Sequence, residues 1–269
     1  MAPFCFLHFT DPHVPPPGGT VSGGDPAQGL AAALADAARR HGPGGASPAA
    51  FAVFTGDLVR DGEPAAYARL RGMLGGLPWP VHLLLGNHDD RDAFSDAFPA
   101  EPLDDAGFVQ KALQTPAGLC LMLDTLAPGR LEGELCARRL AWLAARLAES
   151  AGPVLLFLHH PPLPVGIPFM DQIALRDADA LWATLEPHRA RVRHIFHGHL
   201  HRPIAGSWRG MPISSLRGTA FAVALDQQPG EAVVSRTEAP CYALARVLDG
   251  DVVVHTVELP GANPPAAAP

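Results

Sequence analysis

Asp11 and His13 are separated by one residue, Asp57 follows a glycine, and Asn87 and His88 sit between Gly86 and Asp89. Further along, His159 opens a His-His-Pro-Pro run, and His199 and His201 flank Leu200. Carboxylate, amide and imidazole donors with no thiolate among them suit Mn, Fe, Zn or Co rather than a structural cysteine–zinc site. Two divalent ions held about 3.5–4 Å apart need a carboxylate between them, and such a pair generates hydroxide near pH 7 and clamps phosphoryl oxygens. Asp11, His13, Asp57, Asn87, His159, His199 and His201 supply more ligands than one ion needs. A single Asp or His of this kind is more often a cap or a surface residue. The ordered set is what separates this chain from that ordinary case.

The elements that must position these residues follow a regular grammar. Short apolar runs at 4–9, 50–55, 81–85, 119–124, 154–158 and 192–196 are predicted strands. The first three and last two of these end on the clusters just named. Helices are predicted at 26–41, where Asp25 is the N-cap and Pro26 the first helical residue, and at 64–74, 134–149 and 178–186. Strand–helix alternation gives an α/β fold, whose ligand crevice lies beyond the carboxyl ends of the strands. Glycines before Asp57, Asn87 and His199 are expected to turn the backbone sharply there. After residue 203 helical periodicity stops, and strands are expected at 203–208, 212–216, 220–225, 242–247 and 252–259. One domain is expected over 1–260, the late strands completing a second sheet, with a Pro/Ala-rich frayed tail at 261–269.

Taken in order, D-x-H, G-D, G-N-H-D, H-x-P and G-H-x-H resemble the calcineurin-like metallophosphoesterase superfamily. Within it, residues 56–62, 86–91 and 158–164 are similar to the bacterial class III cyclic nucleotide phosphodiesterases and glycerophosphodiesterases. The resemblance runs over about residues 4–226. It implies a four-layer α/β/β/α sandwich in which Asp11, His13 and His201 bind one ion, Asn87, His159 and His199 the other, and Asp57 bridges them. It also implies that His88 faces the scissile phosphate and that Asp89 hydrogen-bonds His88 and orients it. The H-x-P form favours His159 over His160 as the ligand, leaving His160 behind it or along the pocket.

The implied reaction is hydrolysis of a small phosphodiester, cAMP or a glycerophosphodiester. A phosphomonoesterase, a nucleotide pyrophosphatase and a non-catalytic scaffold are the alternatives, and a scaffold should have lost ligands that are all present here. Loops 163–176, with Phe169, Met170 and Asp171, and 14–24 are the expected walls of the pocket. Arg60, Arg91 and Arg202 follow motif residues and are candidates to reach a phosphate.

Bulk composition narrows the field. Of 269 residues, 48% are hydrophobic and 17% charged, enough for a buried core. A net charge of −7 with Lys111 as the only lysine argues against a nucleic-acid-binding face. Cys5, Cys120, Cys136 and Cys241 form no C-x-x-C pair and read as small hydrophobes in a reducing compartment. Neither a signal peptide nor a membrane-spanning run is visible, so a soluble cytoplasmic protein is expected. Strands after Gly210 leave room for pairing between copies, as in a homo-oligomer. His8, His41, His82, His188, His194 and His255 read as structural, and His197 as packing or as a support behind the ligands.

Overall fold

Phenylalanines that alternate along the strands build the middle of the molecule. The computed structural model describes residues 3–260 apart from Ser22, Asp226, Gln227, Pro229, Glu231, Ala232, Arg236 and Thr237. In β1 (Phe4–Phe9), Phe6 points to one face and Leu7 and Phe9 to the other, as a period of two requires. Phe6 meets Phe157 and Phe196 edge-on at 5.6 and 5.3 Å, and those two rings stack at 5.0 Å. Phe157 ends β6 (Val154–Phe157), and Phe196 lies in β7 (Val192–His197). This aromatic layer joins two sheets face to face. Each fully buried phenyl contributes roughly 1.5–3 kcal/mol.

The first sheet runs β13-β12-β1-β2-β3, with β2 (Ala52–Thr55), β3 (Val81–Leu84), β12 (Cys241–Leu248) and β13 (Asp251–Glu258). Its β1, β2 and β3 are parallel, so their carboxyl ends lie side by side. Against its outer face pack α1 (Pro26–His41), α2 (Pro64–Leu74) and α3 (Arg91–Ala97). The Asp25 side chain accepts from the Ala27 amide at 3.0 Å and Pro26 opens α1, as the sequence predicts. Leu30, Ala33 and Ala37 form its buried stripe.

The second sheet runs β4-β5-β6-β7-β9-β8, with β4 (Lys111–Thr115), β5 (Gly118–Met122), β8 (Ile204–Trp208) and β9 (Met211–Ser215). Here α4 (Ala137–Glu149) and α6 (Ala178–Leu185) cover the outer face through Leu143, Leu147, Leu181 and Leu185. The result is a four-layer α/β/β/α sandwich. The helix expected from 134 begins at Ala137. Residues 134 and 135 are tied elsewhere, Glu134 donating its amide to Thr125 O at 3.0 Å and Leu135 to the Asp177 carboxylate at 2.8 Å. The short α5 (Pro168–Gln172) lies in loop 163–176, and β10 (Ala222–Val223) pairs with β11 (Val234–Ser235) as a separate two-stranded sheet. The strand expected over 220–225 is thus shorter than its apolar run. The tail at 261–269 lies outside the described residues.

All four cysteines are free thiols, three of them buried. No helix among the described residues is long and apolar enough to cross a membrane.

Candidate metal centre

Five strand ends meet at one edge of the sandwich. Asp11 and His13 follow β1, Asp57 follows β2, Asn87 and His88 follow β3, His159 follows β6, and His199 and His201 follow β7. Backbone contacts sew the two sheets together there. The Asp11 carboxylate accepts the His199 amide at 3.1 Å on each oxygen, and His159 Nδ1 donates to Thr55 O at 2.7 Å.

The backbone at this edge is strained. Seven non-glycine residues among those described have positive φ, and Asp11, His13, Asp57, His199 and His201 are five of them. The left-handed region costs roughly 1–2 kcal/mol per residue, and such strain collects at functional sites where the surroundings enforce it. The glycines act in two ways rather than the one expected. Gly56, at φ +97°, does turn the chain, whereas Gly86 lacks a positive φ and supplies space, since a Cβ there would run into Asp57 Oδ1 and His159 Nε2.

The side chains form two groups that share Asp57. Asp11, His13, Asp57 and His201 place one ligand atom each within 4.8 Å of one another. His13 Nε2 is 3.0 Å from His201 Nε2, and His201 Nε2 is 3.4 Å from Asp11 Oδ1. Asp57 Oδ2 lies 3.4 Å from His13 Nε2 and also 3.4 Å from His159 Nε2. On the far side, His159 Nε2 is 3.3 Å from Asn87 Oδ1, and the buried His199 Nε2 has no hydrogen-bond partner.

His159, His160 and His199 also converge, so the two neighbouring histidines must be told apart. Both nitrogens of His160 are engaged, Nδ1 with the Thr125 hydroxyl at 2.8 Å and Nε2 with Leu131 O at 3.1 Å. In His159 only Nδ1 is committed to a backbone carbonyl, which leaves Nε2 facing Asp57 and Asn87.

Electrostatics favour a cation here. Asp11 and Asp57 are buried, and their ion pairs within 4.0 Å among the described residues are with histidines. Burial raises the Asp11 carboxyl and lowers His13 and His199 well below the ordinary imidazole range. Burial also opposes charge on Asp57, but the imidazoles of His159 and His13 outweigh it and hold that carboxyl well below its usual range. Against burial, Asp57 raises His159 to about 9. Buried carboxylates, neutral imidazoles, an orphaned imidazole nitrogen and a proton held between His159 and Asp57 together fit divalent metal ions.

One expected contact is absent. Asp89 does not meet the His88 ring. Its carboxylate accepts the amides of Leu58, Val59 and Gly86 at 3.1, 3.2 and 2.9 Å and the Tyr67 hydroxyl at 3.0 Å, fastening the β2 and β3 turns together. The group that anchors His88 is the carbonyl of Arg60, which accepts from Nδ1 at 2.8 Å. The resemblance implied an Asp89–His88 contact, but residues 87 and 88 form a turn closed by the Asp89 amide on Gly86 O at 3.3 Å, and the Asp89 carboxylate is taken up by the amides around it.

A cavity of about 550 Å³ opens over this edge. Its polar floor is Asp57, Asn87, His88, His199 and His201, and its wall includes Leu131, Phe169, Met170, Ile173 and Phe221. Loop 163–176 lines it as expected, whereas no described residue of loop 14–24 does; Val14 is buried there, bridged to Val59. Further wall residues, Phe221, Val223 and Val234, come from the chain after β9, and sequence reasoning did not identify them. Phe221 stacks on His201 at 4.1 Å and 8°. Of the three candidate arginines only Arg60 lines the cavity. Asp171 does not; it accepts the amides of Val165 and Gly166 and closes its own loop.

The calcineurin-like phosphoesterase family model matches residues 6–203. A probable cyclic nucleotide phosphodiesterase of Rhodopseudomonas palustris is 42% identical over 258 residues, covering 93% of this chain and 90% of that protein. A cAMP/cGMP dual specificity phosphodiesterase of Mycobacterium tuberculosis is 36% identical over 218 residues, covering 76% of this chain and 64% of that one. Among solved structures, GAP50, the anchor in the inner membrane complex of Plasmodium, matches with a TM-score of 0.63 at 12% identity over 98% of this chain and 87% of its own, a likeness of fold alone. The chain belongs to the calcineurin-like phosphoesterase family.

Proposed function

We propose that this protein is a dinuclear-metal phosphodiesterase acting on a small phosphodiester, with a cyclic nucleotide such as cAMP as the favoured substrate. The observation that carries this reading is the position of Asp57 Oδ2, equidistant at 3.4 Å from one imidazole of each ligand group. Asp11, His13 and His201 would hold one ion and Asn87, His159 and His199 the other, with Asp57 shared. When bound, such a pair of Mn, Fe, Zn or Co ions supplies hydroxide near neutral pH and neutralises phosphoryl charge.

The chain's own groups do the rest. His88 lines the cavity and is held at Nδ1 by the Arg60 carbonyl; with Nδ1–H so engaged, it would serve the departing oxygen as donor from Nε2 of the imidazolium form. Asp89 is a positioning residue for the loops that carry Asp57 and Asn87. The apolar wall suits a nucleobase better than a polar glycerol headgroup, and the names of the two similar phosphodiesterases support the cyclic nucleotide reading. The four free cysteines agree with a cytoplasmic setting for the domain at 1–260.

The test is a substrate comparison on protein loaded with Mn. Bis-p-nitrophenyl phosphate and cAMP should be turned over at least about ten times more efficiently than p-nitrophenyl phosphate. A preference for the monoester overturns the diesterase reading in favour of phosphomonoesterase.

A further inference from the structure

Three arginines follow motif residues, and their fates differ. Arg91 is spent on Asp124, through Nε at 2.9 Å and Nη2 at 3.0 Å, and on Leu126 O at 3.1 Å. Arg202 donates to Val223 O at 2.7 Å and stands 4.0 Å from Glu238. Neither lines the cavity.

Arg60 does, and no other Lys or Arg is among the described residues lining it. Its nearest carboxylate is Asp61 at 3.8 Å, a side chain 62% exposed, so the pairing is loose and solvent-screened. The guanidinium Nη1 reaches within 3.4 Å of His88 Nδ1, which places a planar cation beside the residue that faces the reacting phosphate. Meanwhile the backbone carbonyl of Arg60 anchors the same imidazole at 2.8 Å. One residue thus offers two separable services, an anchor through its main chain and a charge through its side chain.

We infer that the Arg60 side chain binds the phosphoryl group of the substrate, donating to a non-bridging oxygen beside His88. A guanidinium fork suits this task, because it presents paired donors to phosphate geometry and stays charged at every working pH. In a protein of net charge −7, a lone cation at the cavity mouth also draws an anion inward.

The inference rests on the proposed phosphodiesterase site. Arg60→Gln removes the charge and keeps the main-chain anchor of His88. In metal-loaded protein, the variant should retain its metal content, bind inorganic phosphate about 10- to 100-fold more weakly by calorimetry, and show a matching rise in KM for bis-p-nitrophenyl phosphate, as expected for a lost charged hydrogen bond. Arg60→Lys should recover part of the phosphate affinity, since a point charge replaces the fork. Phosphate affinity and KM within twofold of the parent overturn the inference, and so does loss of metal from Arg60→Gln, which would mark the residue as structural. If the parent protein binds phosphate but turns over no diester, the functional reading fails while the calorimetric comparison still decides Arg60.

Discussion

The floor and the wall of the cavity are built on opposite plans. Asp57, His199 and His201 of the floor and the neighbouring Asp11, His13 and His159 are buried and hang from strand ends, five of these six sit in left-handed backbone, and Asn87 and His88 are half-buried. The wall is looser. Leu131 is 47% and Val234 43% exposed and Phe169 rides on the five-residue α5, while Met170 and Val223 are buried. A floor that is over-determined by two sheets can hold several like ligands a few ångströms apart, whereas a wall on short elements can adapt to what enters. On the proposed function, the floor carries the chemistry and the wall the substrate preference.

Each region can be broken separately. The largest expected effect, short of removing a ligand, comes from His88→Ala, which leaves the ligand set in place but removes the group proposed to serve the departing oxygen. Metal content should stay unchanged while kcat falls by about 10²- to 10⁴-fold. A normal kcat would remove His88 from the chemistry. Next is the wall, where Phe221→Ala and Phe169→Ala each delete an aromatic surface without touching a donor atom. KM for cAMP should rise by roughly tenfold, from about 1–3 kcal/mol of lost stacking, with kcat within a few-fold. A collapse of kcat with KM unchanged would mean that the wall belongs to the catalytic floor.

A smaller effect concerns what supports the floor. His8 Nε2 pairs with the Thr55 hydroxyl at 2.8 Å between neighbouring strands of the first sheet, and His194 Nε2 with Ser214 at 2.8 Å between neighbouring strands of the second. Burial lowers His8 to about 3 and His194 to about 4. Unfolding lets each recover its ordinary value near 6.5, so the unfolded chain binds more protons below that pH. The stabilisation from these neutral imidazoles is therefore full above about pH 6.5 and lost as pH falls toward 4. In metal-free protein, His194→Gln should flatten the acid limb of a Tm-versus-pH curve between pH 6.5 and 4. An unchanged limb would show that His194 is not held neutral.

Legibility in the sequence followed the same division. The floor was readable because strand ends are marked by the switch from apolar alternation to Gly plus Asp, Asn or His, and five such marks in order leave little freedom. The start of α1 was readable from Asp25 and Pro26, each of which has a local physical reason to begin a helix. What stayed hidden depends on tertiary direction. Nothing local distinguishes Phe221 from any apolar residue, and its stacking on His201 arises only when the chain after β9 returns to the floor. The resemblance placed Asp89 with His88, while its actual partners are the amides of two turns and Tyr67 from α2. Edge strand β4 and the short α3 and α5 are too brief and too exposed to print a period.

The central claim is a shared carboxylate between two ions, and metal analysis of the purified protein beside Asp57→Asn tests it most directly. The parent chain should carry close to two divalent ions, and the variant, lacking the bridging charge, should lose at least one of them together with diester hydrolysis. A parent that binds a single ion, or an Asp57→Asn protein that keeps both with activity intact, would contradict the dinuclear account.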